Sequence, residues 1–186
     1  MNGSSGTEQR LDWYQSFAPS TVMFHNIRTG EQVREPSLVA LDTTCIGKIQ
    51  PLPYAAGDVS GPLPMARCRA VGFAALDLQG TPGVAVFSPL RHGQIADYDA
   101  AVHLFRELSR RVRPKISVSA LLKPILCVHV QEHTTDVETR ALIDAGIQTG
   151  ARRVLLYRDP LPAMLERARS DPKLHNGYIL HIDPQD

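Results

Sequence analysis

From Asp97 to Ile182 the chain switches repeatedly between helical and strand-like hydrophobic periods, and this alternation is what most limits the folds open to it. Val102, Phe105, Leu108 and Val112 recur at spacings of three and four and make one apolar stripe. Asp97 and Asp99 stand at its start. Arg106, Arg110, Arg111, Arg113 and Lys115 gather toward its end, the charge order a helix dipole favours, and Pro114 stops it. That basic cluster reads as a solvated helix end, with a membrane or acidic-partner patch as the other reading. Ile125 to Val130 is a nearly continuous apolar run, the pattern of a strand buried on both faces. Thr135 and Glu138 have capping-box spacing and open the next helix, and Gly150 stands where a C′ glycine would close it. Val154 to Tyr157 is the next strand. Asp159 as cap and Pro160 at the first helical position begin another helix, through Ala168, and Tyr178 to Ile182 is the last apolar run. Strands alternating with helices predict an α/β fold: a mostly parallel sheet with helices packed on it.

Upstream, Val22 to His25 and Leu38 to Leu41 are short apolar runs separated by the turn residues Asn26, Thr29 and Gly30. They read as adjacent strands joined by a turn, which would make the sheet mixed. Gln50 to Met65 is rich in proline and glycine and reads as a long surface loop or insertion. Ala70 to Leu78 suggests a short helix and Val84 to Phe87 a strand. The polar, Gly/Ser-rich stretch Met1 to Arg10 reads as a disordered lead and has no apolar core of a signal peptide.

At 186 residues the chain can bury a self-supporting core. A net charge of +1 gives no compositional case for nucleic-acid binding. The three cysteines, Cys45, Cys68 and Cys127, are odd in number and match no disulfide or zinc spacing, which points to a reducing compartment. No run approaches the roughly 18 apolar residues of a membrane-spanning helix. The expectation is a soluble, cytoplasmic protein, with peripheral contact at the inner face of the membrane left open.

Three constellations could carry chemistry. Cys127, His129, Gln131 and His133 alternate, so on a strand they would share a face and could bind metal; a buried thiol and core histidine are the plainer reading. Asp12, Asp97, Glu138 and Asp183 are carboxylates near element ends, as a metal-dependent nuclease would need. Trp13, Tyr14 and Phe17 crowd one short segment, either as a core plug or as an anchor for a protein partner.

Several words of the sequence, in their order and spacing, resemble the bacterial actin-like rod-shape-determining family of the MreB type. They are Glu35-Pro36-Ser37-Leu38-Val39-Ala40, Gly80-Thr81-Pro82-Gly83 and Pro89-Leu90-Arg91-His92-Gly93-Gln94-Ile95-Ala96-Asp97-Tyr98. The fullest is Thr134-Thr135-Asp136-Val137-Glu138-Thr139-Arg140-Ala141-Leu142, continued by Asp144-Ala145-Gly146 and Gly150-Ala151-Arg152, with Asp159-Pro160 following. The resemblance runs from about Asp12 to Asp183.

It implies an actin-like, ribonuclease-H-like domain with a five-stranded mixed sheet flanked by helices. The core would comprise 11–42 and 91–186, with a small subdomain inserted at 43–90. It also implies that only the first large domain is present, plus the opening strand of a second at Tyr178 to Ile182. The family's first phosphate hairpin, Asp-x-Gly-Thr, would fall on Gln15-Ser16-Phe17-Ala18. Its second, Asp-x-Gly-Gly-Gly-Thr, would fall on His181-Ile182-Asp183-Pro184. Gln15 and Phe17 replace an aspartate and a glycine, and Asp183 brings negative charge where phosphate oxygens would lie, so no cofactor is expected. Glu138 matches the family's water-positioning glutamate, although a capping box accounts for it without ATP. The resulting expectation is a pseudo-ATPase scaffold, not an enzyme, working through protein–protein contact or self-association. Trp13, Tyr14, Phe17, Tyr178 and Leu180 are the candidate contact residues. An ATP-binding protein whose cleft is completed by dimerisation, and a ribonuclease-H-like nuclease, are the alternatives.

Overall fold

A computed structural model of the chain describes residues 19–43, 68–113 and 123–183. The Met1 to Arg10 lead, Asp12, the aromatic segment Trp13, Tyr14 and Phe17, Gln15 with the first hairpin, Cys45, the Gln50 to Met65 stretch, Lys115 and Pro184 lie outside the described residues.

The hydrophobic alternation produces a five-stranded mixed sheet. It is built from β1 (Thr21–Asn26), β2 (Gln32–Pro36), β8 (Ile125–His129), β9 (Arg153–Tyr157) and β10 (Tyr178–Asp183), in the order β2-β1-β10-β8-β9. β10, β8 and β9 run parallel, and β1 is antiparallel to both of its neighbours. Helices α2 (Tyr98–Arg111) and α3 (Asp136–Gln148) cover one face. There Phe24, Leu126, Val128, Leu180 and Ile182 meet Leu104, Phe105, Leu108 and Leu142. Helix α4 (Leu161–Ser170) and a 3₁₀ turn at Pro172–Leu174 cover the other face, packing Met164, Ala168 and Leu174 onto Cys127 and Ile179. Fully burying one leucine-sized side chain is worth about 1.5–3 kcal/mol, so these two faces dominate the fold's stability.

The helix ends follow the capping chemistry of the sequence. Asp97 accepts the Ala100 N–H at 3.0 Å, starting α2. Thr135 and Glu138 close a complete capping box on α3. Gly150, at φ 100°, ends α3 in a Schellman motif, with N–H bonds from Gly150 to Ile147 O (3.0 Å) and from Ala151 to Gly146 O (3.3 Å). The arginines near the end of α2 are spent internally. Arg106 donates to Gln148 O at 3.0 Å, Arg110 pairs with Glu107, Arg111 pairs with Glu35, and Arg113 donates to Thr149 O at 3.4 Å.

A second sheet, order β4-β3-β5, is built from β3 (Val39–Asp42), β4 (Cys68–Val71) and β5 (Val84–Phe87). Its middle strand, Val39–Asp42, pairs antiparallel with both of the others. A small hairpin of β6 (Leu90–Arg91) and β7 (Gln94–Ile95) follows. Buried Ser37 and Ser88 join the two units: their hydroxyls are 2.7 Å apart, and Ser88 donates onward to Leu90 O at 2.7 Å.

Four expectations need correction. The strand paired with Val22–His25 is not Leu38–Leu41 but the polar Gln32–Pro36, an outer strand whose side chains alternate between exposed and half-buried and so lack an apolar run. Leu38–Leu41 feeds the second sheet instead. Ala70–Leu78 is not one helix: Gly72, at φ 68°, breaks β4 from the single-turn α1 (Phe73–Leu76), and Glu35 accepts the Phe73 N–H at 2.7 Å. Asp159 does not cap α4: Pro160 is the N-cap residue rather than the first helical one, Pro162 lies in the first turn, and Asp159 pairs with Arg167 at 2.8 Å. The largest correction concerns Tyr178–Ile182. It is the central strand of the main sheet, and Tyr178 and Leu180 are 8% and 0% exposed. A run apolar on both faces belongs in a sheet centre, where neighbours satisfy both edges. Tyr178 and Leu180 are therefore core residues, not an open contact edge.

Candidate functional site

Because β8 and β10 are parallel neighbours, their C-terminal ends open on one edge of the sheet. The N-terminus of α3 and the turn between β6 and β7 arrive at the same edge. Together they line a cleft of about 60 Å³, with Gly93, His129, Gln131, Thr134 and Glu138 among its walls. A liquid water occupies about 30 Å³ and a small-molecule site about 300 Å³ or more. The cleft has room for a few waters.

Glu138 reaches this cleft, but its carboxylate is already engaged. Its Oε2 accepts the Thr135 N–H at 2.8 Å, while its own N–H donates to Thr135 Oγ1 at 3.3 Å. These bonds satisfy helix-end donors that would otherwise lack partners.

At the end of β10, His181 and Asp183 point to the face opposite Ile182, as strand alternation requires. Asp183 is paired with Arg34 of β2 at 3.0 Å. The His181 and His129 Nδ1 atoms lie 3.2 Å apart, with the rings edge-on at 65°. Burial lowers the pKa of both imidazoles. The charge of His129 lowers that of His181 further, while Asp183 opposes the shift, as does the hydrogen bond His129 donates to the Asp159 backbone carbonyl.

The four alternating residues after Ile125 do not share a strand face. β8 ends at His129, leaving Gln131 and His133 exposed beyond it. Cys127 is fully buried under α4, and burial pushes its thiol up to about 12 despite a hydrogen bond with Tyr157. It is a protonated core thiol at neutral pH. Nor do the carboxylates converge. Asp97 caps α2, Glu138 caps α3 and Asp183 pairs with Arg34. Among the described residues no group of three His, Cys, Asp or Glu side chains is placed to hold a metal, so nothing there supports the nuclease alternative. No helix among them is long and apolar enough to cross a membrane.

Sequence reasoning missed the His129–His181 contact and the Arg34–Asp183 pair. Each joins residues from different strands, so only the strand order and register could have revealed them.

Comparison with known proteins places this geometry. The sequence profile of the family described as MreB/Mbl protein matches residues 20–167. The cell shape-determining protein MreB of Escherichia coli (strain K12) is 31% identical over 98 residues, covering 52% of this chain and 28% of that protein. The cell shape-determining protein Mbl of Bacillus subtilis (strain 168) is 27% identical over 148 residues, covering 78% of this chain and 38% of that protein. The chain thus spans well under half the length of these relatives. Among solved structures, MreB5 of Spiroplasma citri bound to ADP superposes with a TM-score of 0.47 at 23% identity, over 67% of this chain and 31% of that one. The profile match takes in β1 to β9 and α1 to α3, that is, the mixed sheet's outer strands, the second sheet and the capped helix at the cleft. The chain belongs to the MreB/Mbl family of actin-like proteins.

Proposed function

We propose that this chain is a non-catalytic actin-like module that acts through protein–protein contacts in a cytoskeletal or envelope-associated assembly, at the cytoplasmic face of the membrane. The observation that carries this reading is the state of Glu138. The resemblance assigns it a water-positioning role, yet both halves of its capping box are made. The bond from Thr135 N–H to its Oε2 gives the carboxylate a helix-capping use that requires no nucleotide.

Two further features support the reading. The cleft beside Glu138 is far smaller than a nucleotide requires. The strand end that would carry the second phosphate hairpin instead presents His181 and an Asp183–Arg34 pair. Trp13, Tyr14 and Phe17 remain the proposed partner-contact residues, and self-association is the simplest partner.

Isothermal titration with ATP and Mg²⁺, with molar mass taken by light scattering on the same sample, tests the proposal. It expects no heat of binding together with a dimer or larger species, and co-sedimentation with filaments of a full-length actin-like protein. Saturable heat that disappears in Glu138→Gln would overturn it. That result favours the alternative of a nucleotide cleft completed by dimerisation, for which the position of Glu138 on the cleft wall is the supporting observation.

A further inference from the structure

The main sheet carries a row of side chains across all five strands: Arg34, Met23, His181, His129 and Tyr157, on β2, β1, β10, β8 and β9 in turn. The next row down the same face contains Ile179 and Cys127 and is sealed by α4. The histidine row lies past that cover, and both rings are half-buried. Water and small ions can reach them.

We propose that His129 and His181 form a two-imidazole site for a borderline divalent transition-metal ion, with Zn²⁺ the reference ligand. The geometry carries the proposal. Two nitrogens bound to a tetrahedral zinc at about 2.0–2.1 Å sit about 3.3–3.4 Å from each other. The Nδ1 atoms are 3.2 Å apart, one residue beyond the Leu180–Val128 pair of two adjacent parallel strands. A preorganised pair of donors spares the ion most of the ordering cost. Imidazole nitrogens suit zinc, nickel and copper(II), whereas magnesium and calcium prefer oxygen. Binding needs the neutral rings, and burial keeps them neutral at physiological pH.

No third His, Cys, Asp or Glu among the described residues completes the set, so the bound ion keeps water in its remaining positions. Asp183 lies two residues beyond His181 on the same strand face, where its charge is shared with Arg34. The site shares His129 with the wall of the cleft beside Glu138, but it uses no oxygen of Glu138 and is tested by zinc rather than by nucleotide.

The competing explanation is a direct Nδ1–H to Nδ1 hydrogen bond with no ion. Titrating ZnCl₂ into untagged, metal-free protein, by calorimetry and by thermal melting, separates the two. The proposal expects one saturable site per chain and a rise in melting temperature. It also expects roughly tenfold or greater weakening in each of His129→Gln and His181→Gln, with little added loss in the double variant. No saturable heat, or unchanged affinity in both single variants, overturns it. If a variant fails to fold, NMR of the imidazoles in the unaltered chain decides. Zinc-dependent shifts at the His129 and His181 Nδ1 atoms support the site, and shifts confined to the other histidines overturn it.

Discussion

Two segments meet at one edge of the main sheet: Thr134–Glu138 at the head of α3, and His181–Asp183 at the end of β10. The resemblance assigns both to nucleotide handling. The first keeps the family's wording and the second does not. The physical difference is that Thr135 and Glu138 have a second task. Helix α3 needs its first N–H groups satisfied whether or not a nucleotide is present, and the capping box does this with two backbone–side-chain bonds. A glycine-rich phosphate hairpin has no comparable structural use. At that place the chain has side chains suited to a sheet: Ile182 in the core, the His129–His181 contact, and an ion pair tying β10 to β2 across β1. A family motif that persists is therefore weak evidence for activity when local helix chemistry would require the same residues.

The contrast predicts very different sensitivities, and the largest lies in β10. Leu180 is fully buried in the central strand between Phe24 and Val128. Leu180→Ala should cost about 3 kcal/mol in urea unfolding, from lost burial plus the cavity left behind. If β10 were a loosely attached strand from another domain, the change would be near zero, and the assignment of β10 to the sheet centre would fall.

Acid should act on the same side of the comparison. His25, His129 and His181 all have pKa values lowered from 6.5 in the folded protein, with burial as the leading cause. The unfolded chain then binds more protons than the folded one as pH drops below 6.5. Stability is fully present above that pH and is lost progressively toward the folded-state values. His25 adds to this because its buried Nε2 has no hydrogen-bond partner among the described residues. Thermal melts should hold nearly level from pH 7.5 to about 6.5 and shift downward from there to pH 5. His129→Gln and His181→Gln should each flatten the curve, and an unchanged slope in both would remove the pair from the acid response.

At the helix side the expected effect is smaller. Thr135→Ala removes one half of the capping box and should destabilise by about 1 kcal/mol. Glu138→Gln retains an oxygen acceptor for the Thr135 N–H and should cost less than Thr135→Ala. A Glu138→Gln protein that is as stable as the parent yet altered in any nucleotide response would show that the carboxylate's charge has a use beyond the cap.

Most of the local structure was legible because its causes are local. The α2 stripe, the box at Thr135–Glu138 and the glycine at position 150 each follow from residues within one helix, and each sits where the spacing put it. The failures involve partners distant in sequence. Gln32–Pro36 has too few apolar residues to announce itself, because an outer strand buries little. Tyr178–Ile182 was recognisable as a strand buried on both faces, but the resemblance carried it to a second domain when its pattern already called for a sheet centre. The candidate site was half visible for the same reason. Glu138 could be read from its own helix, whereas the His129–His181 and Arg34–Asp183 pairs depend on a strand order that no periodicity encodes.

The smallest expected effect tests whether the His181–Asp183 end has any structural role beyond burying Ile182. Arg34 and Asp183 are 3.0 Å apart, but their side chains are 63% and 44% exposed. Ion pairs in such settings lose most of their Coulomb energy to solvent and to side-chain ordering, so Arg34→Ala should change stability by roughly 0.5 kcal/mol or less. Its effect on zinc should be larger than its effect on folding. Removing the guanidinium leaves Asp183 uncompensated near His181, and a divalent ion gains from the freed negative charge. Arg34→Ala should therefore bind zinc more tightly than the parent at low salt, with the difference shrinking as ionic strength rises. Weaker binding in this variant would mean that the arginine positions the pair, and the strand end would then be an ordered polar assembly in its own right.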